Sequence, residues 1–234
     1  AKINASTGRV TISGAGSTTI TVSQPASANY EAVERKATLT VAKSALAFTV
    51  SAQPDVTFGT SDFTLTAPVS PSSGAYSYSS TTPEVVTVDA STGRVRIVGA
   101  GAASIRVTQA ASTNYESAVQ MISFAVQKAV PRLGTFSLEP RTFGTPAFVA
   151  TAPSSTSPGT FSYTSSDTNV ATVSASGTIS IVGTGSTTIT ANQVATTNYV
   201  AASTAATLTV SKGTPTFTVA NPPDKPYGSA DFTI

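Results

Sequence analysis

The chain has 234 residues, a formal net charge of +2, only 10% charged residues and no Cys, His or Trp; an average soluble domain is about 25% charged. Without Cys or His there is no disulfide framework, no thiolate zinc site, no Ser–His–Asp triad and no Cys–His dyad. The 33 Ser, 41 Thr and 24 Val against 6 Leu favour strands over helical bundles or coiled coils.

Four markers recur in one register. Asn29-Tyr30, Asn114-Tyr115 and Asn198-Tyr199 are separated by 85 and then 84 residues. The pairs Gly14/Gly16, Gly99/Gly101 and Gly183/Gly185 keep those two spacings, as do Lys43, Lys128 and Lys212, and Phe58-Gly59, Phe143-Gly144 and Tyr227-Gly228. The one-residue difference is local: Ser91-Thr92-Gly93 becomes Ser176-Gly177. A tandem repeat of about 85 residues follows.

Taken in chain order, residues 1–43 read as the second half of a repeat. Residues 44–128 form a complete repeat of seven short strands: Leu46–Val50, Asp62–Ala67, Tyr76–Ser80, Val85–Asp89, Arg94–Val98, Ala103–Ala110 and Ser117–Gln127. Alternation aims Phe63, Leu65, Tyr76, Tyr78, Val86, Val88, Val95, Ile97, Ile105, Val107, Ile122, Phe124 and Val126 inward. Residues 129–212 form a second complete repeat, with Phe148, Phe161, Tyr163, Val173, Ile179, Ile181, Ile189, Leu208 and Val210 at matching places. Residues 213–234 read as the N-terminal strands of a further repeat. Short strands at this spacing, stacked on two faces, predict an all-β chain of tandem immunoglobulin-like sandwiches; a closed barrel is the alternative. Fragments of 22 and 43 residues hide too little surface to fold alone. They read as a window on a longer array, in preference to one subunit completing another by strand exchange.

The run Ser79–Thr108, together with Val170-Ala-Thr-Val173 and Gly183-Thr-Gly185 leading to Ile189-Thr190, resembles bacterial immunoglobulin-like domains of the group 2 type. The resemblance implies serial domains of bacterial surface adhesins or long secreted proteins, with phage virions as an alternative setting. It brings no catalytic residues with it.

Candidate sites in the sequence read as structural. Gly99-Ala-Gly101 has Ser104 where a dinucleotide fingerprint needs its third Gly, and it sits between strands, so it is expected to be a hairpin turn. Each Asn-Tyr pair lies before the last strand and is expected to act as a tyrosine corner. Arg94, Arg96 and Arg106 are the densest cations, but their strands belong to opposite sheets, so they are expected on solvated surface. Asp62 aligns with Ala147, and Asp89 with Asn4 and Ser174, so no calcium site repeats. Lys43, Lys128 and Lys212 are expected to be exposed at the joints, which disfavours isopeptide chemistry. Asn4-Ala-Ser6 is a lone glycosylation sequon.

No catalytic, cofactor-binding or metal residue is therefore assigned, and no cofactor. The opening at Ala1 is polar and reads as no signal peptide, and no run of 18 apolar residues spans a membrane. Pro131 and Pro215 stiffen the short joints after Lys128 and Lys212. The expected function is a non-catalytic spacer segment, a semi-stiff rod within a longer extracellular fibre or surface protein. Its partners are neighbouring repeats of the same chain, with neither nucleic acid nor membrane insertion. The alternative is an adhesive module that binds glycan or host-surface protein; catalysis is left only carboxylate or Ser–Lys chemistry, and no acid pair recurs.

Overall fold

β-Branched residues alternating with Ser and Thr give pleated segments with one apolar face, which pair rather than coil. The computed structural model describes residues 1–233 and contains no helix among them; Ile234, the last residue of the segment 213–234, lies outside the described residues. The chain divides into two units, one of Ala1–Ala129 with Thr197–Tyr199, the other of Val130–Thr196 with the residues from Val200 onward.

In the first unit, β1 (Lys2–Ile3) pairs with β2 (Val10–Thr11), and β3 (Gly16–Gln24) with β4 (Val33–Val41). Seven further strands follow: β5 (Val56–Thr57), β6 (Phe63–Thr64), β7 (Tyr76–Ser80), β8 (Val86–Val88), β9 (Arg94–Ile97), β10 (Gly101–Gln109) and β11 (Ala118–Gln127). One sheet runs β5-β11-β10-β7 and the other β6-β9-β8. This is an immunoglobulin-like split, with the fifth strand of the repeat (β9) and the sixth (β10) in different sheets. Between the sheets Val86, Val95, Ile105 and Val107 are fully buried, flanked by Phe48, Leu65, Tyr78, Ile122, Phe124 and Val126. Burying each such side chain is worth about 1.5–3 kcal/mol.

The second unit repeats the plan with β12 (Arg141–Thr142), β13 (Phe148–Val149), β14 (Phe161–Ser165), β15 (Ala171–Val173), β16 (Thr178–Ile181), β17 (Gly185–Gln193) and β18 (Ala202–Ser211). Its sheets are β12-β18-β17-β14 and β13-β16-β15. Ala171, Ile179, Ile189, Ala191 and Leu208 are fully buried, with Phe136, Tyr163 and Val170 around them. Every inward residue expected from alternation packs in or against one of these two cores.

Two strands depart furthest from the sequence reading, the others shifting by at most one or two residues at an end. The expected first strand, Leu46–Val50, makes only a bridge between Thr49 and Val69, with both N–H groups donating at 3.0 Å. The strand that joins the sheet is Val56–Thr57, parallel to the end of β11 at Val126–Gln127. Asp62–Ala67 shortens to Phe63–Thr64. In residues 213–233 no strand forms: the strands that hold this part of a repeat elsewhere, β11 and β9, come later in the repeat and have no counterpart within that stretch.

Each repeat also carries a buried polar clamp. Gln109 and Gln193 are 0% and 2% exposed at the ends of β10 and β17. Gln109 Nε2 donates to the carbonyls of Ser72 (3.0 Å) and Gly74 (2.9 Å), and Gln193 Nε2 to those of Ser157 (3.0 Å) and Gly159 (2.7 Å). The clamp fixes the loop before β7 and β14 from inside the sandwich. Gln193 Oε1 also accepts the Ser155 hydroxyl at 2.7 Å, whereas Gln109 Oε1 has no partner.

Candidate functional site: the glycine turns and the Asn-Tyr loops

The contacts that recur with the repeat lie at two features of the first unit, the Gly-x-Gly turns and the Asn-Tyr loops. In Gly14-Ala15-Gly16 and Gly99-Ala100-Gly101 the third residue has a positive φ, +127° at Gly16 and +151° at Gly101. An L side chain there is strained. A Cβ on Gly99 would lie 2.7 Å from the Glu84 carbonyl oxygen. These constraints keep the turn bare, and its middle residue lies outside any strand ladder.

The N–H of that residue is capped by an asparagine. The Ala15 N–H donates to Asn114 Oδ1 at 2.9 Å, and the Ala100 N–H donates to Asn198 Oδ1 at 2.9 Å. Asn114 lies in the loop between β10 and β11, closed by the Ser112 N–H donating to the Tyr115 carbonyl at 3.0 Å. The backbone adds to the cap. Ser44 N–H donates to the Asn114 carbonyl and Glu116 N–H to the Ser44 carbonyl, each at 2.9 Å, and Ala129 N–H donates to the Asn198 carbonyl at 2.9 Å. Tyr199 sets its ring edge-on to Phe58, with centroids 5.5 Å apart and planes at 78°, a geometry worth about 0.5–1.5 kcal/mol beyond area.

The Asn-Tyr pair makes contacts beyond its own sandwich. Its Asn caps a glycine turn that lies 99 residues earlier for Asn114 and 98 earlier for Asn198, and the Tyr199 ring rests on Phe58. Both caps lie within the first unit, since Thr197–Tyr199 belongs to it.

The remaining candidates stay apart. Arg94 and Arg96 lie on β9 and Arg106 on β10, in different sheets; Arg94 pairs with Asp62 at 3.1 Å on the surface. Lys43, Lys128 and Lys212 are all exposed, so none has the burial that isopeptide formation requires. Among the described residues no three Asp or Glu side chains gather as a metal site. Asp89 is exposed and occupied by its own turn. Its Oδ1 accepts the hydroxyls and N–H groups of Ser91 and Thr92 at 2.8–3.0 Å, and these bonds, the Ser91 hydroxyl foremost, hold its carboxyl well below the usual carboxylate range. Asn4, its counterpart, accepts the N–H groups of Ser6 and Thr7 in the same way.

Residues 69–111 and 151–196 match the family described as the intimin immunoglobulin-like domain. The two matched segments, 43 and 46 residues long, are similar to that bacterial immunoglobulin-like family. The match is to the intimin type and lies within the two seven-strand sandwiches. No curated protein matches the chain. Among solved structures, Drosophila N-cadherin EC1-4 is 12% identical over 83% of this chain, with a TM-score of 0.29. Domains 4 and 5 of the S-layer protein SbsC are 24% identical over 65% of this chain and 80% of theirs, at 0.26. A SusE-like surface-located polysaccharide-binding protein of Bacteroides thetaiotaomicron is 13% identical over 74% of this chain and 35% of its own, at 0.29. The chain spans 58% of the cadherin it matches. With scores this low, the immunoglobulin-like assignment rests on strand pairing and on the family match.

Proposed function

We propose that the chain is a non-catalytic spacer of a bacterial surface protein, a serial array of immunoglobulin-like repeats that holds other modules away from the surface. In this reading residues 44–128 and 129–212 are whole repeats, 1–43 is the C-terminal half of one, and 213–234 opens another. The observation that carries it is the recurring cap. The same Asn-to-glycine-turn hydrogen bond occurs at Asn114 and at Asn198, so this recurring contact links elements about 98 residues apart in the chain. Support also comes from the short, proline-containing segments after Lys128 and Lys212, which limit backbone freedom. The low charge adds to this, because it gives little long-range attraction to an anionic partner.

Stretching single molecules tests the proposal. Separate cores behave as nearly independent units, so force extension is expected to show two equal unfolding events. Each should release about 28–31 nm of contour length for some 85 residues, less the folded span. A single event for the whole chain would contradict the serial array. Retention on a glycan array that is lost on substituting surface residues would favour an adhesive module instead.

A further inference from the structure

The caps described above fill the turns at Ala15 and Ala100. The third turn, Gly183-Thr184-Gly185, has the same geometry: Gly185 lies at φ +135°, and the Val182 and Gly183 N–H groups both donate to the Val170 carbonyl, at 2.9 and 3.1 Å. Val98 and Gly99 do the same to Val85 at 2.8 and 3.1 Å. Yet the Thr184 N–H has no partner among the described residues, and Thr184 is exposed where Ala15 and Ala100 are half-buried. Phe143 occupies the place of Phe58, and it too is uncovered, at 50% exposure. The hydrogen-bond donor and the ring that receive Asn198 and Tyr199 in the first unit are therefore both present and both vacant in the second.

The complementary piece is also preformed. The Asn29-Tyr30 loop is closed by the Ser27 N–H donating to the Tyr30 carbonyl at 2.8 Å, as Ser112 closes on Tyr115. Nevertheless Tyr30 is 77% exposed. An uncapped Asn-Tyr loop holds its shape, so docking requires no refolding of the loop.

We propose that Thr184 and Phe143 form a docking socket for the Asn-Tyr loop of the repeat that follows Lys212 in the same chain: the Asn carboxamide oxygen accepts from the Thr184 N–H, and the Tyr ring packs on Phe143. One cap hydrogen bond and one ring pair bury far less than the roughly 1,200 Å² of a stable interface between separate molecules. A covalent tether of a few residues supplies the effective concentration that such a contact needs. That favours a following repeat over a second copy of the chain. The inference rests on the serial-array reading of the preceding section.

The test lengthens the whole chain by inserting a second copy of residues 44–128 after Lys212, so that the new joint, Lys212–Ser44, repeats the native Lys43–Ser44. Thr184 remains unique, and its amide exchange is read by NMR. In the unmodified chain it should exchange at nearly the open rate, with Ala15 and Ala100 protected. In the lengthened chain it should slow by at least about tenfold, and Asn114→Ala in the inserted copy alone should return it to the fast rate. Unchanged Thr184 exchange while the inserted copy's core amides are protected would overturn the socket. Slowing that appears in the unmodified chain and grows with its concentration would overturn the tethered assignment in favour of a second copy. The serial-array reading is tested separately by particle length: an extended particle with Thr184 unprotected refutes only the socket, and a compact one with Thr184 protected refutes only the array.

Discussion

Gln109 and Gln193 occupy equivalent buried positions but differ by one bond, which makes them an internal comparison. Methionine has similar volume and no amide, so Gln→Met keeps the packing and removes the clamp. At Gln193 it strands the carbonyls of Ser157 and Gly159 and removes the acceptor of the Ser155 hydroxyl. A buried polar group left unpaired costs about 1–3 kcal/mol, and a neutral hydrogen bond is worth about 1. Part of that is relieved, because the Ser155 hydroxyl still accepts the Ser157 N–H at 3.0 Å. The sum is about 3–5 kcal/mol, a large fraction of the ~4–13 kcal/mol that holds an 85-residue domain. At Gln109 the same change strands two carbonyls, but Oε1 had no partner to lose, so the penalty should be smaller by about 1 kcal/mol, or about 4–8 °C in Tm. Amide exchange read separately at Ile105 and Ile189 reports each sandwich in one sample. Equal losses at the two positions, or a loss under about 1 kcal/mol for Gln193→Met, would refute the clamp.

Other consequences are open to direct measurement. Asn114→Ala should leave the fold intact but raise the exchange rate of the Ala15 amide about tenfold, with Ala100 unchanged; equal effects on both amides would show that the caps are not local. Gly74→Ala should destabilise the first sandwich by about 2 kcal/mol or more, because its Cβ would overlap the Ala110 carbonyl oxygen; wild-type thermal stability would contradict this. Asp89 has a depressed folded pKa, so its contribution is full above the unfolded value of about 3.9 and lost as pH falls through the folded one. Its carboxyl carbon should therefore titrate well below the ordinary aspartate range in an NMR series, and a titration at the ordinary value would contradict the turn bonding; Ser174, at the matching position, carries no such group. Burial pushes the Tyr78 and Tyr163 phenols up, with Tyr76 adding to the shift at Tyr78. These two favour the folded state below the unfolded tyrosine pKa of about 10, and that contribution fades as pH rises through their folded values. In an alkaline absorbance titration these two should ionise above the ordinary tyrosine range, together with loss of structure.

Most of the fold was legible because alternation reports directly on which face is buried. Phe63 to Val126 and Phe148 to Val210 all meet their cores. The first strand was misplaced for a physical reason. Leu46–Val50 has the apolar content of a strand, yet its backbone pairs only at Thr49, while Val56–Thr57 is too short to show any alternation and is recruited by the end of β11. The clamp went unread because a buried Gln breaks the apolar pattern that marks a core. The spacing held its signature all the same: Gln24, Gln109 and Gln193 are 85 and 84 residues apart. Both halves of the cap stand out in the sequence as recurring motifs. Their pairing was invisible, since the partners lie 98 and 99 residues apart and no local propensity links a loop to a turn at that distance.

Solution X-ray scattering tests the spacer most directly. A compact 234-residue domain has a radius of gyration of about 17–18 Å. With each sandwich about 35–40 Å long, two complete repeats reach about 70–80 Å before the flanking segments are added, and a rod of that length already has a radius of gyration of about 20–23 Å, which the flanking segments raise further. The account predicts that larger value and an asymmetric distance distribution. A radius near 18 Å with a symmetric distribution would contradict it.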